Sequence, residues 1–138
     1  MRIMNIIHAA PEHISKLHQL DRHIAETEMT ALVQRQRILI AEKDGEIIGW
    51  LRWNLFWDNT PFMNMLYLVE SHRGRGCGKA MVLHWEEEMK QLGYRTVMTS
   101  TASDEHAQHF YQKLGYDAIG GFLLPGDPYE IIFSKTLN

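Results

Sequence analysis

One segment constrains the fold of this chain more than any other: an apolar strand that leads through a glycine-rich turn into a helix. Residues 62–69 are almost entirely apolar, which predicts a central strand buried on both faces. Gly74, Gly76 and Gly78 follow closely, and residues 79–92 then repeat apolar side chains at helical spacing. A strand joined to a helix in this way indicates a sheet with helices packed on it.

Hydrophobic periodicity places further elements on both sides of this segment. We predict strands at residues 3–7, 37–42, 47–55, 96–101, 116–119 and 129–135. Helices are predicted between Pro11 and about Gln34, and again after Ser103, which can cap the helix that carries Phe110. A turn containing Asp44, whose following glycine suits a tight hairpin, joins two of the strands. The order of elements predicts a mixed α/β sheet with helices on both faces.

Length and composition limit the function classes. The chain has 138 residues, of which 45% are hydrophobic and 22% charged, which is typical of one soluble domain and predicts a single domain at residues 1–138. A net charge of −3 argues against a nucleic-acid partner. Neither a membrane-spanning run nor a signal peptide is evident. The lone Cys77 cannot form an internal disulfide, which favours a cytoplasmic location.

The glycine-rich turn has the composition of an anion site. Its glycines let successive N–H groups converge at the positive end of the helix, and Arg73, Arg75 and Lys79 add charge. The simpler interpretation is a turn with solvated basic side chains. Two nucleotide-binding patterns fail on spacing. A P-loop would need glycine at Arg73 and serine or threonine at Ala80, and a dinucleotide fingerprint would need its third glycine one residue later.

Two motifs carry a resemblance to a known family. Residues 73–78 fill every fixed position of Gln/Arg-x-x-Gly-x-Gly/Ala, and this turn resembles the pyrophosphate loop of the GNAT superfamily of N-acetyltransferases. Residues 107–116 are similar to the family's Ala-x-x-Phe-Tyr-x-x-x-Gly-Phe/Tyr segment. The resemblance covers most of the chain, with the first forty residues the least similar. It implies a central, mostly antiparallel sheet of about six or seven strands.

The resemblance implies transfer of an acetyl group from acetyl-CoA to an amine by direct attack in a ternary complex. It implies that the end of the central strand holds the pantetheine arm, through Leu66, Tyr67, Leu68 and Val69. It implies that the turn holds the pyrophosphate, through Arg73, Gly74, Arg75, Gly76, Cys77, Gly78 and Lys79. It further implies cofactor contacts at Tyr111 and at Asp104. Many relatives carry asparagine at the position of Asp104, and a carboxylate cannot donate a hydrogen bond to the cofactor as an amide does.

The resemblance also implies catalytic roles. Tyr111 stands at the family's general-acid position, where a phenol with an ordinary pKa of about 10 can protonate a leaving thiolate. Packing in the core is the simpler role for this ring. No general base is evident. Glu70 is the nearest carboxylate in sequence to the expected thioester and is our candidate, and other carboxylates and a histidine stay open: Glu26, Glu28, Asp58 and His72.

Several alternatives stay open at this point. The same fold could serve a non-catalytic acyl-CoA-binding sensor or interaction module. The acceptor could be a small-molecule amine or an amine of a protein or peptide. No metal is expected, because His106 and His109 lack a third ligand nearby in the sequence. A homodimer stays open, with the strand at residues 129–135 as an exposed interface.

Overall fold

The computed structural model describes residues 4–138, in which seven strands form one sheet and four α-helices accompany it. The strands are β1 (Asn5–His8), β2 (Ile38–Lys43), β3 (Glu46–Phe56), β4 (Thr60–Leu68), β5 (Thr96–Ala102), β6 (Asp117–Phe122) and β7 (Glu130–Thr136). The helices are α1 (Ile14–Leu20), α2 (Glu26–Gln34), α3 (Cys77–Gln91) and α4 (Ala107–Lys113). The strand order is β1-β2-β3-β4-β5-β7-β6. The β4–β5 pair is parallel and the other pairs described residue by residue are antiparallel, which confirms the predicted mixed sheet.

The chain divides into two compact units. The first contains residues 4–54 and Met65–Trp85, and the second contains Leu55–Asn64 and residues 86–138. The boundary runs through β3, β4 and α3, so each unit holds part of these elements. Within residues 4–138, no helix is long and apolar enough to cross a membrane.

The first unit has helices on both faces of β3. On one face Trp50 belongs to a buried cluster that also contains Leu17 of α1 and Met29 of α2. On the other face Trp53 meets Trp85 of α3, with 6.5 Å between the ring centroids. Because side chains alternate along a strand, neighbouring residues of β3 reach helices on opposite sides. This arrangement confirms the predicted helices on both faces.

The second unit is built around β7. It pairs with β5 from Thr96–Thr136 to Ala102–Glu130, and with β6 on its other side. The prediction of an exposed strand at residues 129–135 is therefore wrong, because both edges of β7 are paired. All six residues of β6, the last strand of the described sheet, are exposed instead.

A buried polar contact holds α3 to β7 in the second unit. The Glu86 carboxylate accepts hydrogen bonds from the Tyr116 hydroxyl and the Lys135 ammonium, each at 2.8 Å. Burial raises the pKa of the Tyr116 phenol, and the charge of Glu86 raises it further. Tyr116 therefore stays a neutral donor in this contact.

The observed elements differ from the predicted ones at several boundaries. The helix after the glycine turn begins at Cys77, two residues early, and Pro61 lies inside β4 rather than in the preceding turn. Ser103 lies in a turn, and His106 is the residue that precedes α4. The first predicted strand began at Ile3, which lies outside the described residues. The prediction of a strand buried on both faces at residues 62–69 is wrong: within β4 only Pro61 and Met63, which share one face, are buried, and Tyr67 near the end of the strand is 40% exposed.

Candidate active site

The turn after β4 places backbone N–H groups at the start of α3. A 3₁₀ turn at Glu70–His72 is closed by the His72 amide, which donates to the Val69 carbonyl at 3.0 Å. Gly74 and Gly76 then have φ values of +74° and +83°. A residue with a Cβ loses about 1–2 kcal/mol in that left-handed conformation, so glycine is favoured at both positions.

The first turn of α3 carries unused donors. Its first intrahelical bond runs from the Ala80 amide to the Gly76 carbonyl at 3.0 Å. The amides of Cys77, Gly78 and Lys79 precede that bond and have no acceptor inside the helix. They carry the positive end of the helix dipole, to which Arg73, Arg75 and Lys79 add exposed cationic side chains. Of the other two residues in this turn of the helix, Cys77 is a half-buried free thiol and Gly78 is buried.

The end of β4 offers a second set of backbone groups. The Val69 amide donates to the Ile48 carbonyl of β3 at 2.8 Å, so it is already satisfied. Backbone groups of successive residues point to opposite edges of a strand, so Tyr67 also faces β3 while Leu66 and Leu68 face the other edge. Of the four predicted pantetheine residues, Leu66 and Leu68 therefore present their N–H and C=O groups away from β3.

Tyr111 lies in an aromatic cluster of the second unit. Its ring centroid is 5.7 Å from that of Tyr116 and 6.2 Å from that of Phe133, and the side chain is only 6% exposed. Burial raises the pKa of the phenol to about 12, a rise that a hydrogen bond with Thr99 opposes and the charge of Glu105 supports. The Thr99 hydroxyl itself donates to the Met63 carbonyl at 2.9 Å. Tyr111 is therefore a protonated phenol at neutral pH, in contact with β5.

The remaining predicted site residues are exposed. Glu70 lies in the 3₁₀ turn, so the first unit brings this carboxylate together with the end of β4 and the glycine turn. Asp104 lies in the turn before α4 in the second unit. That turn is closed by Gln108, whose Nε2 donates to the Ser103 carbonyl at 2.8 Å and to the Glu105 carbonyl at 3.1 Å. The Asp104 carboxylate thus stands on an ordered turn and faces solvent.

Two polar features were missed by the sequence reasoning. In the first unit, the buried Asp21 accepts hydrogen bonds from Arg52 Nε at 2.8 Å and from Trp50 Nε1 at 3.1 Å. In the second unit, Ser100 donates to Glu130 at 2.7 Å. Glu130 also borders a cavity of about 210 Å³, whose other lining residues are Phe122, Leu124, Asp127 and Pro128. Contacts between residues some thirty positions apart leave no periodic signal in a sequence, so sequence patterns could not have predicted them.

Metal ligands are not clustered in the described part of the chain. Residues 4–138 contain no group of three or more histidine, cysteine, aspartate or glutamate side chains arranged to hold an ion. The rings of His106 and His109 lie 6.3 Å apart as a pair.

Solved structures with the same fold include N-acetyltransferases. Ard1 from Thermoplasma volcanium superposes with a TM-score of 0.84 at 13% identity, over 98% of each chain. The ribosomal-protein-S18-alanine N-acetyltransferase of Escherichia coli gives 0.81 at 14% identity, over 99% of this chain and 95% of that one. The PaiA N-acetyltransferase of Thermoplasma acidophilum, in complex with coenzyme A, gives 0.75 at 17% identity, over 97% and 99%. The architecture described above is thus the acetyltransferase fold.

A comparison of the sequence with protein-family models identifies the family. The model of the acetyltransferase (GNAT) family matches residues 2–116, and the chain belongs to this family. It is therefore an acyltransferase enzyme, as the two motifs predicted. No curated protein sequence matches the chain.

Proposed function

We propose that the chain is an N-acetyltransferase that moves an acetyl group from acetyl-CoA to an amine, within a single domain of residues 1–138. The observation that carries this proposal is the turn from Gly74 to Lys79, which ends at the unpaired amides of α3 beside three basic side chains. A neighbour of the same fold was solved with coenzyme A bound, which supports the choice of donor. We place the enzyme in the cytoplasm, in keeping with its lone Cys77.

The residues present fit acetyl-CoA. At Gly74 and Gly76 the position of a Cβ has no atom within 4 Å, so the turn is open on that side and a phosphate can approach the backbone. The amides of Cys77 to Lys79 bind the pyrophosphate, and Leu66 and Leu68 hydrogen-bond the pantetheine amides as an added strand would. When bound, acetyl-CoA supplies an acetyl thioester.

The chain's own groups then assist transfer. An outward N–H of Leu66 or Leu68 polarises the thioester carbonyl as the amine nitrogen bonds to its carbon. Tyr111 donates its phenolic proton to the sulfur as the carbon–sulfur bond breaks, and regains a proton from solvent. Glu70, which is exposed beside the turn, accepts the proton that the nitrogen loses, directly or through water. Atoms and charge balance, with a free thiol and an amide as products.

The acceptor is an amine of a small molecule or of a protein or peptide. A neutral amine is required for attack, because an ammonium has no lone pair. A panel of amines assayed by release of the CoA thiol measures this directly. We expect acetyl-CoA to bind and at least one amine class to release thiol in proportion to acetylated product. Thermal stabilisation by ATP in place of CoA would contradict the proposal.

The glycine turn provides a first prediction. We expect Gly76→Ala to weaken CoA binding about five- to thirtyfold, because a left-handed alanine costs about 1–2 kcal/mol and the turn must keep this shape to bind. The measurement is the dissociation constant of CoA by calorimetry.

Gly93→Ala is the matched control. Gly93 follows α3 with φ of +95°, and its Cβ position is also free of neighbours within 4 Å. The same backbone strain should then lower the free energy of unfolding without changing CoA affinity. Equal loss of affinity in both variants would show that strain anywhere near α3, rather than the shape of the turn, controls binding.

A further inference from the structure

A buried hydrogen bond fixes the indole ring of Trp50. Its Nε1 donates to Asp21 at 3.1 Å, and the same carboxylate oxygen accepts from Arg52 Nε at 2.8 Å. Asp21 is fully buried and Trp50 is 3% exposed. An indole that is packed and hydrogen-bonded at its one polar atom has little freedom to rotate. Trp50 therefore forms a rigid floor on the α1–α2 face of β3.

Tyr67 of β4 stacks on this floor. The two ring centroids are 4.7 Å apart and the ring planes differ by 25°. Offset stacking at this distance is a favourable aromatic geometry. One face of the Tyr67 ring is thereby covered by Trp50, although the side chain as a whole is 40% exposed.

Arg73, the first residue of the glycine turn, lies over the Tyr67 ring. Its Cζ is 5.2 Å from the ring centroid, within the range of a cation–π contact. Its Nε also donates to the Leu68 carbonyl at 2.9 Å. The guanidinium is thus held by the Leu68 carbonyl at its Nε edge and by the face of the Tyr67 ring. The remaining four N–H donors are on the two Nη groups, the edge that binds phosphate oxygens in a bidentate manner.

We propose that Tyr67, supported by Trp50, is a positioning residue that orients the Arg73 guanidinium toward the pyrophosphate of CoA. This role rests on the proposed function. A free arginine on an exposed turn loses rotamer entropy when a ligand orders it. The stack orders the side chain beforehand, so less of that entropy is lost on binding. The Tyr67 side chain thereby contributes to cofactor affinity through Arg73.

The test is a double-mutant cycle on CoA affinity, measured by calorimetry. We expect Tyr67→Leu to raise the dissociation constant about two- to fivefold, the size of an exposed cation–π contact. Tyr67→Phe keeps the aromatic face and should stay within about twofold of the wild type. In an Arg73→Gln background, which keeps a residue that the family pattern allows, Tyr67→Leu should have no further effect.

Each other outcome has a defined meaning. An equal loss from Tyr67→Leu in both backgrounds would overturn the positioning role, since the side chain would then act without Arg73. Absence of CoA binding by the wild type would instead reject the proposed function. Should Tyr67→Leu unfold, Tyr67→Met removes the ring with a longer and more flexible side chain that can fill the gap, and it is read in the same way. Trp57→Leu, which truncates an 80% exposed aromatic in the β3–β4 turn, should leave the affinity unchanged.

Discussion

Tyr111→Phe is expected to lower kcat by at least about a hundredfold while CoA affinity stays within about twofold. Positioned general acids contribute about 10²- to 10⁴-fold, and the variant removes only the hydroxyl that would protonate the leaving sulfur. The ring contacts with Tyr116 and Phe133 remain, so the fold should be kept. The measurement is thiol release under saturating acetyl-CoA and amine, beside calorimetry with CoA.

The pKa of Tyr111 fixes the expected pH dependence. Because burial raises that pKa to about 12, the phenol carries its proton throughout the neutral and mildly alkaline range. The general acid should therefore cause no loss of kcat until the pH approaches about 12. A fall in kcat near pH 10 that disappears in Tyr111→Phe would contradict this assignment.

Tyr116→Phe is the matched control, because it removes a buried hydroxyl from the neighbouring ring. Tyr116 donates to Glu86, so its loss should reduce the free energy of unfolding by about 1–3 kcal/mol, because the carboxylate loses one of its two hydrogen bonds and keeps that from Lys135. It should leave kcat nearly unchanged at a temperature where the protein is folded. If the two variants lose kcat equally, the Tyr111 hydroxyl has a structural role and the proposed chemistry is wrong.

Arg52→Leu is expected to lower the free energy of unfolding by about 3–5 kcal/mol. It leaves the Asp21 carboxylate, which is fully buried, without its ionic partner, and an uncompensated buried charge carries a penalty of this size. Urea denaturation at pH 7 measures the change. Asp21→Asn in the same chain removes the charge while keeping an acceptor for Trp50, so the double variant should recover a large part of the loss.

The pH dependence of this pair has a definite sign. Burial alone would raise the pKa of Asp21, but the hydrogen bond and charge of Arg52, with the His23 amide and Trp50, hold it below its ordinary value. The stabilisation is therefore present above the unfolded pKa of about 3.9 and is lost as the pH falls through the lower folded value. In Arg52→Leu the deficit should shrink on acidification, because protonation removes the unpaired charge. A deficit that is constant between pH 7 and pH 4 would exclude this explanation.

Local rules predicted the parts of the fold that depend on a few neighbouring residues. The turn at Asp44 and Gly45 has the positive φ values that the sequence indicated, 55° and 76°, because few other residues accept them. The turn at Gly74 and Gly76 could be predicted for the same reason, because few residues other than glycine adopt positive φ values. Helix starts were less predictable: Ser103 has a capping side chain, yet the chain makes another turn before α4 begins.

Contacts between distant segments were beyond such rules. An apolar run at residues 62–69 indicates a strand but does not reveal whether another element covers its end, and Tyr67 proved to be exposed. The ion pair between Asp21 and Arg52 joins residues 31 positions apart, and charge patterning along one helix or strand gives no indication of it. The same holds for the candidate site. Its two motifs could be predicted from the sequence, whereas the stacking of Arg73 on Tyr67 could not.

Gly49 of β3 lies against the end of β4 that is proposed to hold the pantetheine arm, although Gly49 is not itself part of the proposed site. A Cβ at this position of β3 would stand 2.7 Å from both the Tyr67 carbonyl oxygen and the Leu68 side chain, and 3.4 Å from the Met81 sulfur. The lack of a side chain at this position therefore allows β4 to lie close to β3. The distance between the two strands in turn fixes where the outward groups of Leu66 and Leu68 lie. A substitution at position 49 would therefore shift the proposed pantetheine-binding end of β4 without changing any residue proposed to touch the cofactor. This makes position 49 a site for redesign toward bulkier acyl donors.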